Sequence, residues 1–194
     1  ILYAYIEWGV QCLSHFNGMF AFAIHDSITN ELFLARDPFG IKPLYYVQNE
    51  HFFMFCSEIK GLLEEPKVSR NLNLERLNEY LKFGWVNQST ETIFKHIKEL
   101  PAAHYALISA NNFSTITAQP YWSISPQEQR NVSFADAVEG VREILLNNIK
   151  IHLRSDVPVG YTLSGGIDST TVISVAETLL PDSAKFSFSY LPNY

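Results

Sequence analysis

A strand-like run, Val157 to Leu163, leads into Ser164-Gly165-Gly166-Ile167-Asp168-Ser169 and then into a helical pattern from Ser169 to Leu180. This order constrains the fold more tightly than any other feature of the chain. A buried strand that stops and passes through two glycines into a helix leaves several backbone N–H groups unpaired and aimed outward. With the positive end of the helix dipole, those donors form an anion site. Gly165 and Gly166 let the backbone come close to a phosphate, while Ser164 and Ser169 add hydroxyl donors. Asp168 is the discordant residue. It either caps the helix start or meets phosphate through a divalent cation, and both roles are compatible with Mg-ATP. An ordinary Ser/Gly turn capped by Asp168 or Ser169 is the competing reading. No Gly-Lys-Ser/Thr follows, which argues against a kinase or GTPase loop.

The surrounding pattern favours a parallel sheet. Ser133, with Asp136 three residues on, predicts a capped helix with Phe134, Val138, Val141, Leu145 and Ile149 along one face. Lys185 to Tyr190 reads as the next strand. Helix, strand, loop, helix, strand is the opening of a parallel, doubly wound α/β domain.

The first 120 residues read differently. Leu2, Tyr5, Ile6 and Val10 fall at helical spacing, and Gly18 to Asp26 reads as a strand buried on both faces. A turn at 28–31 leads into the strand Leu32 to Arg36, and the rigid loop Asp37 to Leu44 follows. Tyr45 to Val47 and His51 to Cys56 form a hairpin. Adjacent antiparallel strands this apolar need a covering layer, which predicts a sandwiched sheet. A helix is expected over Leu74 to Phe83 with Asn73 as its cap, and strands over Tyr105 to Ser109 and Thr115 to Thr117. The segment rich in Pro, Ser and Gln after Pro120 marks a linker. The predicted division is therefore a domain over 1–120, a linker over 121–132 and a second domain over 133–194.

Composition narrows the function. A net charge of −6 gives no general attraction to nucleic acid or to an anionic membrane, and no apolar run approaches the ~20 residues that span a bilayer. Ile1 to Tyr5 lacks the basic start of a signal peptide, so a cytoplasmic protein is expected. Cys12 and Cys56 fit neither a disulfide framework nor a zinc site and read as small buried hydrophobes. His25, His51, His96, His104 and His152 show no metal-ligand spacing. Both ends read as cut, so a fragment of a longer protein is expected.

Asp156-Val157-Pro158 through Leu163-Ser164-Gly165-Gly166-Ile167-Asp168-Ser169 resembles the pyrophosphate loop of the glutamine-hydrolysing asparagine synthetases. Upstream, Asn17 to Ala23, Arg36 to Tyr46 and Ser57-Glu58-Ile59-Lys60 resemble the latter half of the class II glutaminase domain joined to that synthetase. The resemblance covers nearly the whole chain. It implies part of an α/β/β/α glutaminase sandwich with antiparallel sheets, followed by the start of a parallel ATP-pyrophosphatase domain. It further implies ATP and Mg²⁺ as cofactors, and glutamine and aspartate as substrates with β-aspartyl-AMP as intermediate. A homodimer is among the assemblies it allows.

Carried over by position, Leu163 contacts the adenosine portion of ATP, and Ser164, Gly165, Gly166, Asp168 and Ser169 hold pyrophosphate, with Asp168 a candidate for Mg²⁺ through the phosphates. Phe188 falls at a backbone contact to adenine, although Phe186 to Ser189 matches the family only loosely. The family's nucleophilic cysteine, its glutamine-binding arginine and its Asn-Gly oxyanion pair would precede Ile1, so no catalytic residue is assigned within the chain. Neither Cys12 nor Cys56 replaces that nucleophile, and these residues alone are expected not to hydrolyse glutamine. Arg36, Asp37 and Lys42 either line a route between domains or brace the Pro-Gly turn. Three other readings compete with asparagine synthesis. They are an adenylating ligase that closes a lactam or amidates another acid, a non-catalytic nucleotide-binding remnant, and a nucleic-acid-modifying ATP pyrophosphatase.

Overall fold

Alternation along the short apolar runs sorts them into two antiparallel sheets rather than one. The computed structural model describes residues 1–86, 88–109, 116–125, 131–180 and 186–190, which fall into two units, Ile1–Pro126 and Gln127–Tyr194. In the first unit, α1 (Leu2–Trp8) runs into a 3₁₀ segment (Gly9–His15), and β1 (Ala21–Asp26) and β2 (Glu31–Arg36) form a hairpin. The chain then leaves that sheet. β3 (Tyr45–Gln48) and β4 (Phe53–Cys56) build a second sheet, with α2 (Ile59–Leu63) behind them and α3 (Leu74–Phe83) following. β5 (Ile97–Glu99) completes the second sheet beside β3, while β6 (His104–Ser109) returns to pair with β2 and carries β7 (Gln119–Pro120) at the edge. The strand orders are β1-β2-β6-β7 and β4-β3-β5.

The register shows why both sheets are covered on two sides. Ile24 stands opposite Phe33, and these residues, with Ala35, pack under Cys12 and Leu13 of the 3₁₀ segment. One residue along, Leu34 stands opposite Ala106, and with Ile108 this face packs against Leu44, just before β3, and Phe53 of β4. Val47 and Ile97, opposite one another on the far face of the second sheet, are closed by Leu62 and Ile59 of α2. Side chains therefore alternate between cores along each strand. Cys12 is fully enclosed, and burial raises its thiol above the ordinary range, as suits a packing residue.

Several expectations shift. The run Gly18 to Asp26 is strand only from Ala21, and Ile24 is its one buried residue. The four early strands are split between two sheets, because the loop after β2 turns the chain over and leaves the edge of β2 free for β6. Of the strand expected at Thr115–Thr117, residue 115 lies outside the described residues and 116–117 are not strand. Ile116 instead packs into the core between the sheets. Pro120 belongs to β7, and Tyr121, expected to begin the linker, is tied to the first unit through a ring packed on the outer core. Residues 126–130 of that linker lie outside the described residues.

Tyr121 also links structure to pH. Its N–H donates to the Ala103 carbonyl at 2.9 Å and its hydroxyl to the Arg36 carbonyl at 2.7 Å. Burial, reinforced by the Asp37 carboxylate, pushes its phenol up to about 12. An unfolded tyrosine ionises near ~10, so the unfolded chain sheds its proton first and stability falls as pH climbs from about 10 to about 12. Tyr121→Phe removes this contribution. The drop in melting temperature between pH ~9 and ~11.5 should be smaller in the variant than in the parent chain; equal drops would show that Tyr121 is not the group responsible.

The second unit contains α4 (Phe134–His152), β8 (Gly160–Thr162), α5 (Ile167–Leu179) and β9 (Phe186–Phe188). Ser133 caps α4 as expected, accepting from the Asp136 N–H at 3.1 Å while its hydroxyl donates to the Asp136 carboxylate at 2.7 Å. Asn73 likewise caps α3 through the Arg76 N–H. The apolar face read along α4 is buried only at Ile149, with Leu145 partly covered; Phe134, Val138 and Val141 are exposed. β8 and β9 pair in parallel, Tyr161 opposite Ser187. The strand is shorter than the expected Val157 to Leu163. It is also less buried, since only Tyr161 within it is partly covered.

Candidate functional site

The glycine-rich loop connects β8 to α5, and its backbone follows from the glycines. Gly165 sits at φ +79, a left-handed conformation that a β-carbon makes costly, and nothing lies within 4 Å of where that carbon would stand. Gly166 occupies the cap position of α5 in an extended conformation. Having no side chain, it gives the helix no cap, in contrast to Asn73 and Ser133 on the other long helices. The first intrahelical bond is from the Thr170 N–H to the Gly166 carbonyl at 3.1 Å, so the amides of Ile167, Asp168 and Ser169 have no acceptor within the helix.

The hydroxyls brace the loop internally. Ser164 and Ser169 Oγ stand 3.1 Å apart, and Ser164 Oγ also accepts a long 3.4 Å bond from the Gly166 N–H. The Gly166 carbonyl takes the Thr170 hydroxyl at 2.8 Å and the Ser169 hydroxyl at 3.2 Å. Ser164, Gly165, Gly166 and Asp168 are exposed, with Ser169 and Leu163 partly so. Neither Asp168 nor Ser169 takes the capping role weighed above, because both lie inside the helix. Asp168 is in the first turn, where a carboxylate favours the helix dipole.

Leu163 is gripped on both sides of its peptide. Its N–H donates to the Phe188 carbonyl at 2.9 Å, and its carbonyl accepts the Ser189 hydroxyl at 2.8 Å. Phe188 is thus brought beside the loop, and its carbonyl serves the strand pairing. Its ring lies across Gly160, where an added β-carbon would come within 3.1 Å of it. Thr170 and Ser189 were not anticipated. Thr170 shares the Gly166 carbonyl, and Ser189 contacts Leu163, the residue before the loop, only across the strand pair, which spacing along the chain does not reveal.

A second constellation, in the first unit, shows how Arg36, Asp37 and Lys42 sit around the turn. The Arg36 guanidinium donates to the carbonyls of Lys42 (2.8 Å), Leu100 (2.7 Å) and Gly40 (2.7 Å) and pairs with Glu99 at 2.8 Å. Asp37, 1% exposed, accepts from the N–H groups of Ile41 and Lys42 at 2.9 Å, Phe39 at 3.1 Å and Phe20 at 3.3 Å. These two residues brace the turn. They do so through backbone groups rather than with each other, and Lys42 contributes its backbone while its side chain is exposed.

Residues 1–122 match the family model of a glutamine amidotransferase domain, and residues 140–193 match that of asparagine synthase. The chain is 38% identical over 176 residues to asparagine synthetase [glutamine-hydrolyzing] 3 of Bacillus subtilis, an alignment covering 91% of this chain. The chain belongs to the glutamine amidotransferase domain family. It is also 38% identical over 188 residues to asparagine synthetase 2 of the same bacterium, across 91% of this chain. A putative asparagine synthetase 2 of Methanocaldococcus jannaschii is 34% identical over 191 residues, or 97% of this chain. The chain spans 28%, 25% and 36% of the length of these three synthetases. The matched amidotransferase segment lies within the first unit. The asparagine synthase segment lies within the second and includes the whole Ser164–Ser169 loop.

Proposed function

We propose that this chain is part of a cytoplasmic enzyme that makes asparagine from aspartate, with glutamine as nitrogen donor and ATP as activator. The observation that carries the reading is the uncapped start of α5 behind Gly165, lying inside the segment matched to asparagine synthase. In this reading the two sheets with their helical covers belong to a four-layer α/β/β/α glutaminase fold. The parallel β8–β9 pair opens a doubly wound ATP-pyrophosphatase domain.

The chemistry needs such a loop. A carboxylate is a poor electrophile because its leaving group would be oxide. Attack by a side-chain oxygen of aspartate on the α-phosphorus of ATP forms β-aspartyl-AMP and breaks the bond to pyrophosphate. Ammonia from glutamine then attacks the acyl carbon, and AMP departs with that oxygen. As the first step proceeds, negative charge gathers on pyrophosphate, and fixed N–H donors at Gly165 to Ser169 oppose it without reorganising. Ser164 and Ser169 hold the loop open through their shared hydroxyl contact, and Leu163 backs the nucleoside. Asp168 fits a Mg²⁺ role: it is exposed and makes no hydrogen bond or ion pair among the described residues, leaving its carboxylate available to a hydrated ion. When bound, Mg²⁺ would neutralise charge on the phosphates.

The test uses aspartate labelled with ¹⁸O in its side-chain carboxylate, supplied to the full-length protein with glutamine, ATP and Mg²⁺. The expected products are asparagine, glutamate, pyrophosphate and AMP, with one label in AMP. Formation of ADP and phosphate, or AMP without label, sinks the adenylation mechanism.

A further inference from the structure

Resting on the reading of the loop as the holder of ATP phosphates, we infer that Ser189 is a positioning residue for pyrophosphate, acting through the peptide between Leu163 and Ser164. A trans peptide is planar, with its carbonyl and the following N–H on opposite sides. Whatever holds the Leu163 carbonyl therefore fixes where the Ser164 N–H points, and that amide is the first donor of the loop. The Ser189 hydroxyl donates to this carbonyl at 2.8 Å, across a separation of 26 residues in the chain. Neighbouring contacts make the grip directional. The Leu163 N–H is held by the Phe188 carbonyl at 2.9 Å, so the peptides on both sides of Leu163 are tied to the end of β9.

The rest of the loop is braced from α5, through Thr170 and Ser169 on the Gly166 carbonyl. The strand side has no comparable side-chain support among the described residues apart from Ser189. Alanine at this position leaves the strand pairing intact but frees the Leu163–Ser164 peptide to rotate. Phosphate binding then bears the cost of ordering it again.

The experiment compares Ser189→Ala and Ser189→Thr with the parent sequence in the full-length protein. It measures KM for ATP, aspartate and glutamine, inhibition by pyrophosphate, direct pyrophosphate binding by calorimetry and the melting temperature. Ser189→Ala should raise KM for ATP and weaken pyrophosphate binding by about 3- to 10-fold, the range of one net hydrogen bond. The other two KM values should stay within about twofold, and Ser189→Thr, which keeps the hydroxyl, should return pyrophosphate binding to within about twofold of the parent. Unchanged pyrophosphate binding in Ser189→Ala overturns the inference, as does a loss spread equally over all three substrates with a lowered melting temperature. The two ideas fail separately. Labelling without transfer to AMP counts against the adenylation chemistry, while the calorimetric comparison still decides the role of Ser189.

Discussion

Asp37→Ala should lower the unfolding free energy of the first unit by about 3–5 kcal/mol, the largest stability loss we expect from any single substitution in the chain. The carboxylate is 1% exposed and accepts from four backbone N–H groups, those of Phe20, Phe39, Ile41 and Lys42. Alanine leaves these donors facing a cavity. Each buried donor without a partner costs about 1–3 kcal/mol, with part recovered as water enters or the loop relaxes. Asp37→Asn should do only modestly better, because an amide offers one acceptor oxygen and turns its NH₂ towards N–H donors. Lys42→Ala is the control: its side chain is exposed, and the change should stay within about 0.5 kcal/mol. Urea unfolding followed by near-ultraviolet circular dichroism reads the difference. A loss below about 1 kcal/mol for Asp37→Ala would mean that the loop organises itself without the carboxylate.

This loop also shows where sequence reading stops. Two prolines and a glycine announce a rigid turn, but Arg36, Asp37 and Lys42 look alike as charged residues around it. Only the fold separates them, by bringing the Leu100 carbonyl and Glu99 from far along the chain to the Arg36 guanidinium. Local signals were legible where their physics is local. The caps at Asn73 and Ser133 act within one helical turn, and the helices they start appear where expected. Hairpin order was legible for the same reason.

Strand partners were not, because an apolar run such as Leu32 to Arg36 pairs equally well with any neighbour. Ile97–Glu99 is too short to show alternation, yet it closes the second sheet. At the glycine loop, the strand–glycine–helix order was legible, and the residues it singled out lie at the junction of β8 and α5. The contact from Ser189 depends on parallel pairing between β8 and β9, which no local pattern encodes.

Asp168→Ala should reduce the rate of asparagine formation by the full-length enzyme about 100-fold, the scale of removing one electrostatic contact made in the transition state. Two physical roles are open to a carboxylate in the first turn of α5, and they predict different patterns. If Asp168 only favours the helix dipole, its removal costs about 0.3–1 kcal/mol of local stability and leaves the chemistry nearly intact. If it holds hydrated Mg²⁺ against the phosphates, the rate falls steeply and the Mg²⁺ concentration for half-maximal rate rises. We expect the second pattern, because Gly166 rather than Asp168 occupies the cap position and Asp168 spends its carboxylate on no hydrogen bond among the described residues. Asp168→Asn sharpens the distinction: it keeps the shape while removing the charge, so a magnesium role makes it nearly as damaging as alanine. Hydrolysis of glutamine without ATP tests whether the defect is confined to the synthetase reaction. Near-normal asparagine formation by Asp168→Ala, with an unchanged Mg²⁺ profile, would remove the carboxylate from the mechanism and leave the phosphates to the backbone amides alone.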